Sequence, residues 1–245
     1  MKKAFTLAEV LITLGIIGVV AALTLPSVVQ NYQKRSLEVA TQKFYSVMSQ
    51  AIKQYMADEG VDDLRQSSLS TTDDDSDEVI TAKNDEFFKK YLKAQICEDD
   101  CFADSYKTQT GETSYAIGKS TNDYYIGRYL LPDGMVVNPG CRGIGRDGTP
   151  GDLYVDVNGR KGPNKIGYDL WSMTVFYDGT IDESGLTPEC RKNNNNCNVP
   201  YGNYGSTPKE IRDNRFIRCK DENDYLGAYG GCFGHFLENG FKFDY

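Results

Sequence analysis

The chain has 245 residues and a formal net charge of −8, with 35 acidic residues against 27 Lys and Arg. That balance argues against a nucleic-acid binder, since such affinity is built from clustered Lys and Arg contacts to phosphate. Most of the chain lies beyond its apolar N-terminal segment, which leaves enough for one domain with its own core.

The chain begins with a short basic leader, Met1-Lys2-Lys3-Ala4, and runs straight into an apolar stretch from Phe5 to Leu25 broken by one acid, Glu9. About 20 such residues cross a hydrocarbon core as a helix. An ordinary secretory signal carries its small-residue cleavage site after the apolar core. Here the small residue, Ala4, comes first, so a cut between Ala4 and Phe5 would remove the leader and keep the helix. Lys2 and Lys3 hold the N-terminus inside and send the bulk of the chain outward.

Glu9 demands a partner. A carboxylate inside lipid costs about 2.5–3.5 kcal/mol on insertion scales, and no Lys or Arg lies between Phe5 and Lys34. The amine freed at Phe5, with a reference pKa of about 7.7–8.0, is the candidate cation. It lies about one turn away in the same helix, or meets Glu9 of a staggered neighbour. The plainer alternative leaves Glu9 at the lipid boundary with no role in assembly.

Val29, Leu37, Ala40, Phe44, Val47, Met48, Ala51, Ile52 and Tyr55 recur at helical spacing, which extends the helix as an amphipathic half to about Ala57. Lys34 and Arg35, just past the apolar run, suit anionic headgroups or simply mark the interface. Asp58 to Glu78 is acidic and Ser/Thr-rich, with the run Asp73-Asp74-Asp75-Ser76-Asp77-Glu78, and reads as a mobile surface loop. Asn84 then caps a short helix with Phe87, Phe88, Tyr91 and Leu92 on one face.

From about Ser114 the pattern turns to strands. Tyr124 to Leu131 and Met135 to Val137 flank Pro132-Asp133-Gly134, a hairpin signal. Leu153, Val155 and Val157 alternate with polar neighbours, as do Trp171, Met173 and Val175. An antiparallel sheet laid over the amphipathic half-helix follows. Thr207-Pro208-Lys209-Glu210 reads as a capped short helix; the rest of the segment after Pro188 reads as disulfide-tied loops. Seven cysteines in an exported domain suggest disulfides. Local pairing gives Cys97 with Cys101, Cys190 with Cys197 and Cys219 with Cys232, and leaves Cys141 over.

Chemistry is sparse. The chain holds no nucleophile elbow, no zinc-protease motif and no phosphate loop, and its one histidine, His235, reads as structural. We expect no enzyme and no cofactor. The strongest internal motif is Asp156-Val157-Asn158-Gly159-Arg160-Lys161-Gly162-Pro163-Asn164 followed by Gly167-Tyr168-Asp169. Oxygen side chains at such spacing suit a hard cation, so Asp156, Asn158, Asn164 and Asp169 are the candidate calcium ligands. The bland alternative is a set of Asx turns. Tyr201, Tyr204, Tyr225, Tyr229 and Phe233 are candidate sugar or partner contacts, or simply packing.

Lys2-Lys3-Ala4 followed by Phe5-Thr6-Leu7-Ala8-Glu9-Val10-Leu11-Ile12 resembles the cleavage and methylation segment of type IV pilins and of type II secretion pseudopilins. The resemblance covers roughly Met1 to Tyr55. It implies that a prepilin peptidase cuts before Phe5 and methylates its amine. Glu9 matches the glutamate at the fifth mature position, and Pro26 matches the family's proline. The residue before the cut is usually Gly, where this chain has Ala4.

The expected fold is therefore α+β, with residues 1–4 a leader, 5–57 the helix (5–25 transmembrane) and 58–245 an extracytoplasmic head. By resemblance the chain is a filament subunit, held in the inner membrane before assembly. Its implied partners are identical and related subunits, the peptidase and a membrane assembly platform. Glu9, Gly15, Gly18 and Pro26 are the assembly residues: charge pairing, close helix approach, and local melting. The competing readings are a secretion pseudopilin and, from another class, a membrane-anchored glycan adhesin. The large cysteine-rich head leans towards a pilin.

Overall fold

The computed structural model describes residues 6–72, 74–97, 101–111, 114–115, 127–140, 151–194, 197, 205–220 and 231–245. The Ala4–Phe5 cut, Asp73, Cys141, the Tyr124 end of the predicted hairpin, and Tyr201, Tyr204, Tyr225 and Tyr229 lie outside them.

Helix α1 runs unbroken over Leu7–Glu59, through Pro26, and stops at Gly60 (φ 69°), whose N–H reaches the carbonyls of Met56 and Ala57. A left-handed glycine at this place satisfies carbonyls that the helix end leaves free. Its two halves differ as the sequence pattern demands. No residue from Leu7 to Gln33 is buried. Beyond that, Leu37, Thr41, Phe44, Met48, Ala51, Ile52, Tyr55 and Met56 form one buried stripe.

The stripe lies on a six-stranded antiparallel sheet in the order β1-β4-β5-β6-β7-β8. The strands are β1 (Gln95–Ile96), β4 (Tyr129–Leu130), β5 (Val136–Asn138), β6 (Gly151–Asp156), β7 (Leu170–Val175) and β8 (Ile181–Asp182). A separate pair joins β2 (Tyr106–Lys107) to β3 (Ser114–Tyr115). The predicted hairpin is present, with Tyr129 opposite Val137 and Gly134 turning at φ 88°. The two alternating segments pair as the sheet's centre, Leu153 opposite Met173 and Val155 opposite Trp171. At the β7–β8 turn Gly179 (φ 74°) comes so close to α1 that an added Cβ would stand 2.7 Å from Met56 Sδ and 3.1 Å from Ile52 Cγ2. That contact seats the sheet on the helix, and a side chain there would have to displace the Met56 thioether from a backbone conformation that favours glycine.

Three expectations are corrected. The acidic segment after Asp58 is not a free loop: Leu64, in a 3₁₀ turn over Leu64–Gln66, and Leu69 are buried, and Asp63 caps the turn by accepting from Arg65 N–H. Two apolar anchors outweigh the composition there. Helix α2 spans Asp77–Leu92 with Ser76 before it, so Asn84 is interior rather than a cap, and its amide donates to Ile80 O. Ile80, Phe87, Phe88 and Leu92 give α2 a buried face that begins inside the acidic run. The segment after Pro188 is more helical than loops: besides the predicted α4 (Pro208–Cys219), with its Thr207/Glu210 capping box, it holds α3 (Pro188–Asn193) and α5 (Cys232–Glu238). Phe233 and Phe236 of α5 bury beside Trp171.

Cys97 pairs with Cys101, Cys190 with Cys197 and Cys219 with Cys232, at Cα separations of 6.3, 4.6 and 5.4 Å. All three local pairs match the expected ones. The fold is α+β, with a long helix, an antiparallel sheet and disulfide-tied C-terminal elements.

Candidate functional site: the apolar half-helix and the Asp156–Asp169 loop

The apolar half of α1 is the largest chemical anomaly of the surface. Leu7, Ile12 and Leu23 are 78%, 63% and 76% exposed. An exposed apolar surface of this extent marks a region that lipid or protein covers. Among the described residues α1 is the one helix long and apolar enough to cross a membrane.

The N-terminus of α1 is locked by residues the charge argument passed over. Thr6-Leu7-Ala8-Glu9 is a capping box. Glu9 N–H donates to Thr6 Oγ1 at 3.2 Å, while Thr6 N–H and Thr6 Oγ1 donate to Glu9 Oε2 at 2.9 and 2.8 Å. The spacing alone signals such a cap. Glu9 is thus held by local neutral donors, which fix its position one turn into the helix without cancelling its charge. The expected partner, the Phe5 amine, lies outside the described residues.

Gly15 and Gly18 face open space: a Cβ built on either meets nothing within 4 Å. Nothing inside the single chain requires glycine at these two places. Pro26 sits within α1, where its missing N–H leaves one carbonyl without a helical donor. Thr24 Oγ1 and Ser27 Oγ bond back to the carbonyls of Val20 and Thr24 at 2.9 Å on either side of it.

On the head, the Asp156-to-Asp169 loop brings both predicted carboxylates into the interior, each fully buried. Asp156 Oδ1 accepts from Asn158 N–H at 3.1 Å, and Oδ2 accepts from the Tyr106 hydroxyl. Asp169 accepts from Asn164 N–H and Lys165 N–H, one on each oxygen. These are turn-locking bonds, the alternative to a cation that the motif left open. Burial pushes the Asp156 carboxyl up to about 8, against the lowering effect of Tyr106, with Asp169 adding a further upward push. Burial likewise raises Asp169 to about 6, opposed by its backbone donors. Burial first, then the neighbouring Asp156 charge, keeps the Tyr106 phenol protonated. The side-chain oxygens of Asn158 and Asn164 are buried at the same loop without a hydrogen-bond partner. Among the described residues no group of three or more His, Cys, Asp or Glu comes together as a metal site. Tyr106 was not among the expected site residues; it lies 50 positions from Asp156, and no local pattern links them.

His235 stacks on Phe216 at 3.7 Å and meets Asp244 at 2.9 Å, a structural setting at the end of α5.

A family described as "Family of unknown function (DUF6613)" matches residues 27–243. The chain belongs to that family. The match takes in the head-packed half of α1 and the whole sheet, and begins just beyond Pro26. No curated protein and no solved structure matches the chain.

Proposed function

We propose that this DUF6613 member is a structural subunit of a type IV pilus-like filament, anchored by the apolar half of α1 before assembly and bundled through it afterwards. The single observation that supports this reading is the division of α1. One unbroken helix carries an uncovered apolar half holding one carboxylate, and its other half is built into the head. A helix so divided transmits the position of its apolar N-terminal half rigidly to the head. Lipid covers the apolar half in the monomer, and the helices of other copies cover it in the polymer.

In this reading Ala4 and Phe5 flank the processing cut, and Glu9 of one copy meets the Phe5 amine of the next. The capping box presets Glu9 for that meeting. The open faces of Gly15 and Gly18 admit a neighbouring backbone. The head carries no chemistry in this scheme, and its disulfides stiffen it for use outside the cytoplasm.

Mass spectrometry of the protein purified from the cell envelope tests the reading. A mature chain beginning at N-methyl-Phe5, present in a sedimentable polymer, is the expected result. A chain that still begins at Met1 and forms no polymer reduces the molecule to a tethered head.

A further inference from the structure

We propose that the loop between β6 and β7 is a calcium site, its ligands the carboxylates of Asp156 and Asp169 and the side-chain amide oxygens of Asn158 and Asn164. The proposal concerns the head alone and does not rest on the filament reading.

The fold brings these residues together at one end of the sheet. Asp156 is the last residue of β6, and Asp169 immediately precedes β7. Val157 N–H donates to Asp169 O at 2.9 Å, which closes the mouth of the loop. Within the loop the residues are stitched to one another. Asn158 N–H donates to Asp156 Oδ1 at 3.1 Å, and Asn164 N–H to Asp169 Oδ2 at 2.6 Å. The Asn158 amide also bonds towards Asp169. Asn164 turns in the left-handed region, at φ 51°, which Asn enters more readily than most side-chain-bearing residues.

Two things in the loop lack partners. The first is charge. Asp156 and Asp169 are both 0% exposed and lie close enough to repel each other. The Tyr106 hydroxyl, the N–H groups of Asn158, Asn164 and Lys165, and the Asn158 amide donate to them, and all are neutral. Among the described residues neither carboxylate joins an ion pair. Lys165 gives Asp169 its N–H but turns its ammonium over the Tyr168 ring, 4.6 Å from the centroid. A charge buried in this way is ordinarily paired or bound to a metal.

The second is acceptors. Asn158 Oδ1 and Asn164 Oδ1 are buried and accept no hydrogen bond. Asn158 Nδ2 donates to Gly162 O at 3.2 Å, so at that residue the oxygen is the atom left over. A buried polar atom without a partner needs an explanation, and a bound ion is one. A water would donate to the two amide oxygens but bring no charge to the carboxylates. A cation serves both.

The ligand chemistry selects the ion. Two carboxylates fall short of a site built on acids alone, and amide oxygens make up the set. All are hard oxygen donors, with no nitrogen or sulfur to favour zinc or copper. Two negative charges balance one divalent ion. Calcium takes about six to eight oxygens in flexible geometry and completes its shell with carbonyls or water, whereas magnesium demands a near-ideal octahedron. The irregular loop suits the first. Since Tyr106 bonds Asp156 and Lys107 N–H bonds Asn164 O at 2.9 Å, the ion would tie β2 to the ends of β6 and β7.

The test uses the full chain in detergent, stripped by a chelator, dialysed and titrated with calcium chloride. Calorimetry is expected to give one ion per chain, with half-saturation at about 10⁻⁴–10⁻³ M, the range of extracellular calcium modules. The fluorescence of Trp171, the one tryptophan, is expected to report a thermal midpoint that rises with calcium and levels off. Magnesium chloride is expected to bind at least about tenfold more weakly. Asn164→Gly keeps the left-handed backbone and removes only the amide; it is expected to melt like the unsubstituted chain in chelator and to lose the calcium response. Asp169→Asn is expected to lose the response as well. No heat and no shift up to about 10 mM calcium, ten times the weak end of that range, overturns the proposal and leaves the orphan oxygens to water. An equal shift with magnesium, or with sodium chloride of matched ionic strength, overturns it as screening. Calcium binding that survives both substitutions places the ion elsewhere and overturns the site.

Discussion

The Tyr106 hydroxyl joins β2 to the end of β6 by donating to the buried carboxylate of Asp156 while accepting from Ala103 N–H at 3.0 Å. One phenol therefore satisfies two groups that have no access to water. Tyr106→Phe keeps the ring and its packing but leaves Ala103 N–H without this acceptor and takes one of the donors from Asp156, which keeps Asn158 N–H. Leaving buried polar groups unsatisfied costs about 1–3 kcal/mol. For a domain of this size that corresponds to a fall in thermal midpoint of roughly 4–8 °C for about 2 kcal/mol. Differential scanning calorimetry of the variant checks this, and an unchanged midpoint would show that the bond contributes nothing.

The two buried carboxylates make head stability depend on pH in a defined direction. Asp156, at about 8, and Asp169, at about 6, keep their protons in the fold well above the ordinary aspartate value. The unfolded chain loses those protons near pH 3.9. Between these limits the folded state binds more protons, so stability falls as pH rises. This contribution is whole below about pH 4 and is used up by about pH 8. Asp156→Asn is expected to flatten the upper part of the curve, between about pH 6 and about pH 8, relative to the unsubstituted chain. Urea denaturation at a series of pH values measures the slope; a parallel pair of curves would assign the pH dependence to other groups.

What the sequence discloses, and what it hides, follows the range of the interactions concerned. The buried stripe of α1 was legible because Leu37, Phe44, Met48, Ile52 and Tyr55 mark one helical face within a single element. The β6–β7 pair was legible because Leu153 and Val155 alternate with polar neighbours, and the Pro132-Asp133-Gly134 turn was legible from its own residues. Helix α2 was misplaced because Asp77 and Glu78, acidic and inside an acidic run, look like loop by composition. What turns them into a helix start is burial of Ile80 and Phe87, a tertiary effect. At the candidate site the loop carboxylates were readable from their motif. Tyr106 was not, since it joins segments 50 positions apart in the chain. The Thr6/Glu9 cap was readable, but the lipid cost of the carboxylate drew the interpretation towards a charged partner.

The disulfides differ in how much chain they close. Cys219–Cys232 spans 13 positions and Cys97–Cys101 only 4. On the loop-entropy account, removing the longer closure costs about 3 kcal/mol and the shorter about 2 kcal/mol. Paired Cys→Ala variants should follow that order in denaturant midpoint. The reverse order would mean that native-state packing around the cysteines, rather than the unfolded chain, sets their worth.

Glu183 holds the C-terminal helices to the sheet. Its carboxylate is 1% exposed, accepts from Arg215 Nε at 2.8 Å, and takes the N–H groups of Gly231 and Gly234 at the start of α5 at 3.1 and 3.0 Å. The neighbouring Asp182 accepts from Arg212 of α4 on both oxygens and from Glu183 N–H on Oδ1. Glu183→Ala takes one acceptor from the Arg215 guanidinium and leaves the Gly231 and Gly234 N–H groups without the carboxylate they bond. Breaking a buried pair from one side costs about 3–5 kcal/mol. Chemical denaturation should show that loss, while Glu210→Ala at the exposed α4 cap should cost only about 0.5–2 kcal/mol. Equal costs would show that burial of the Glu183 carboxylate adds nothing to its worth.

The proposed role of Glu9 separates into a capping part and a charge part, and two substitutions distinguish them. Gln at position 9 still accepts from Thr6 N–H and Thr6 Oγ1, so the helix start keeps its lock while the charge is gone. Ala removes both. If a cation from the next subunit is what Glu9 meets during assembly, Glu9→Gln and Glu9→Ala should both enter the membrane and both fail to polymerise. If the cap is what matters, Glu9→Gln should polymerise like the unsubstituted chain and Thr6→Ala should fail with Glu9→Ala. Quantifying membrane-inserted and sedimentable protein for the four chains decides between them. The charge mechanism requires Glu9→Gln to fail because a neutral amide holds its own N-terminus in place but cannot neutralise an ammonium brought into lipid.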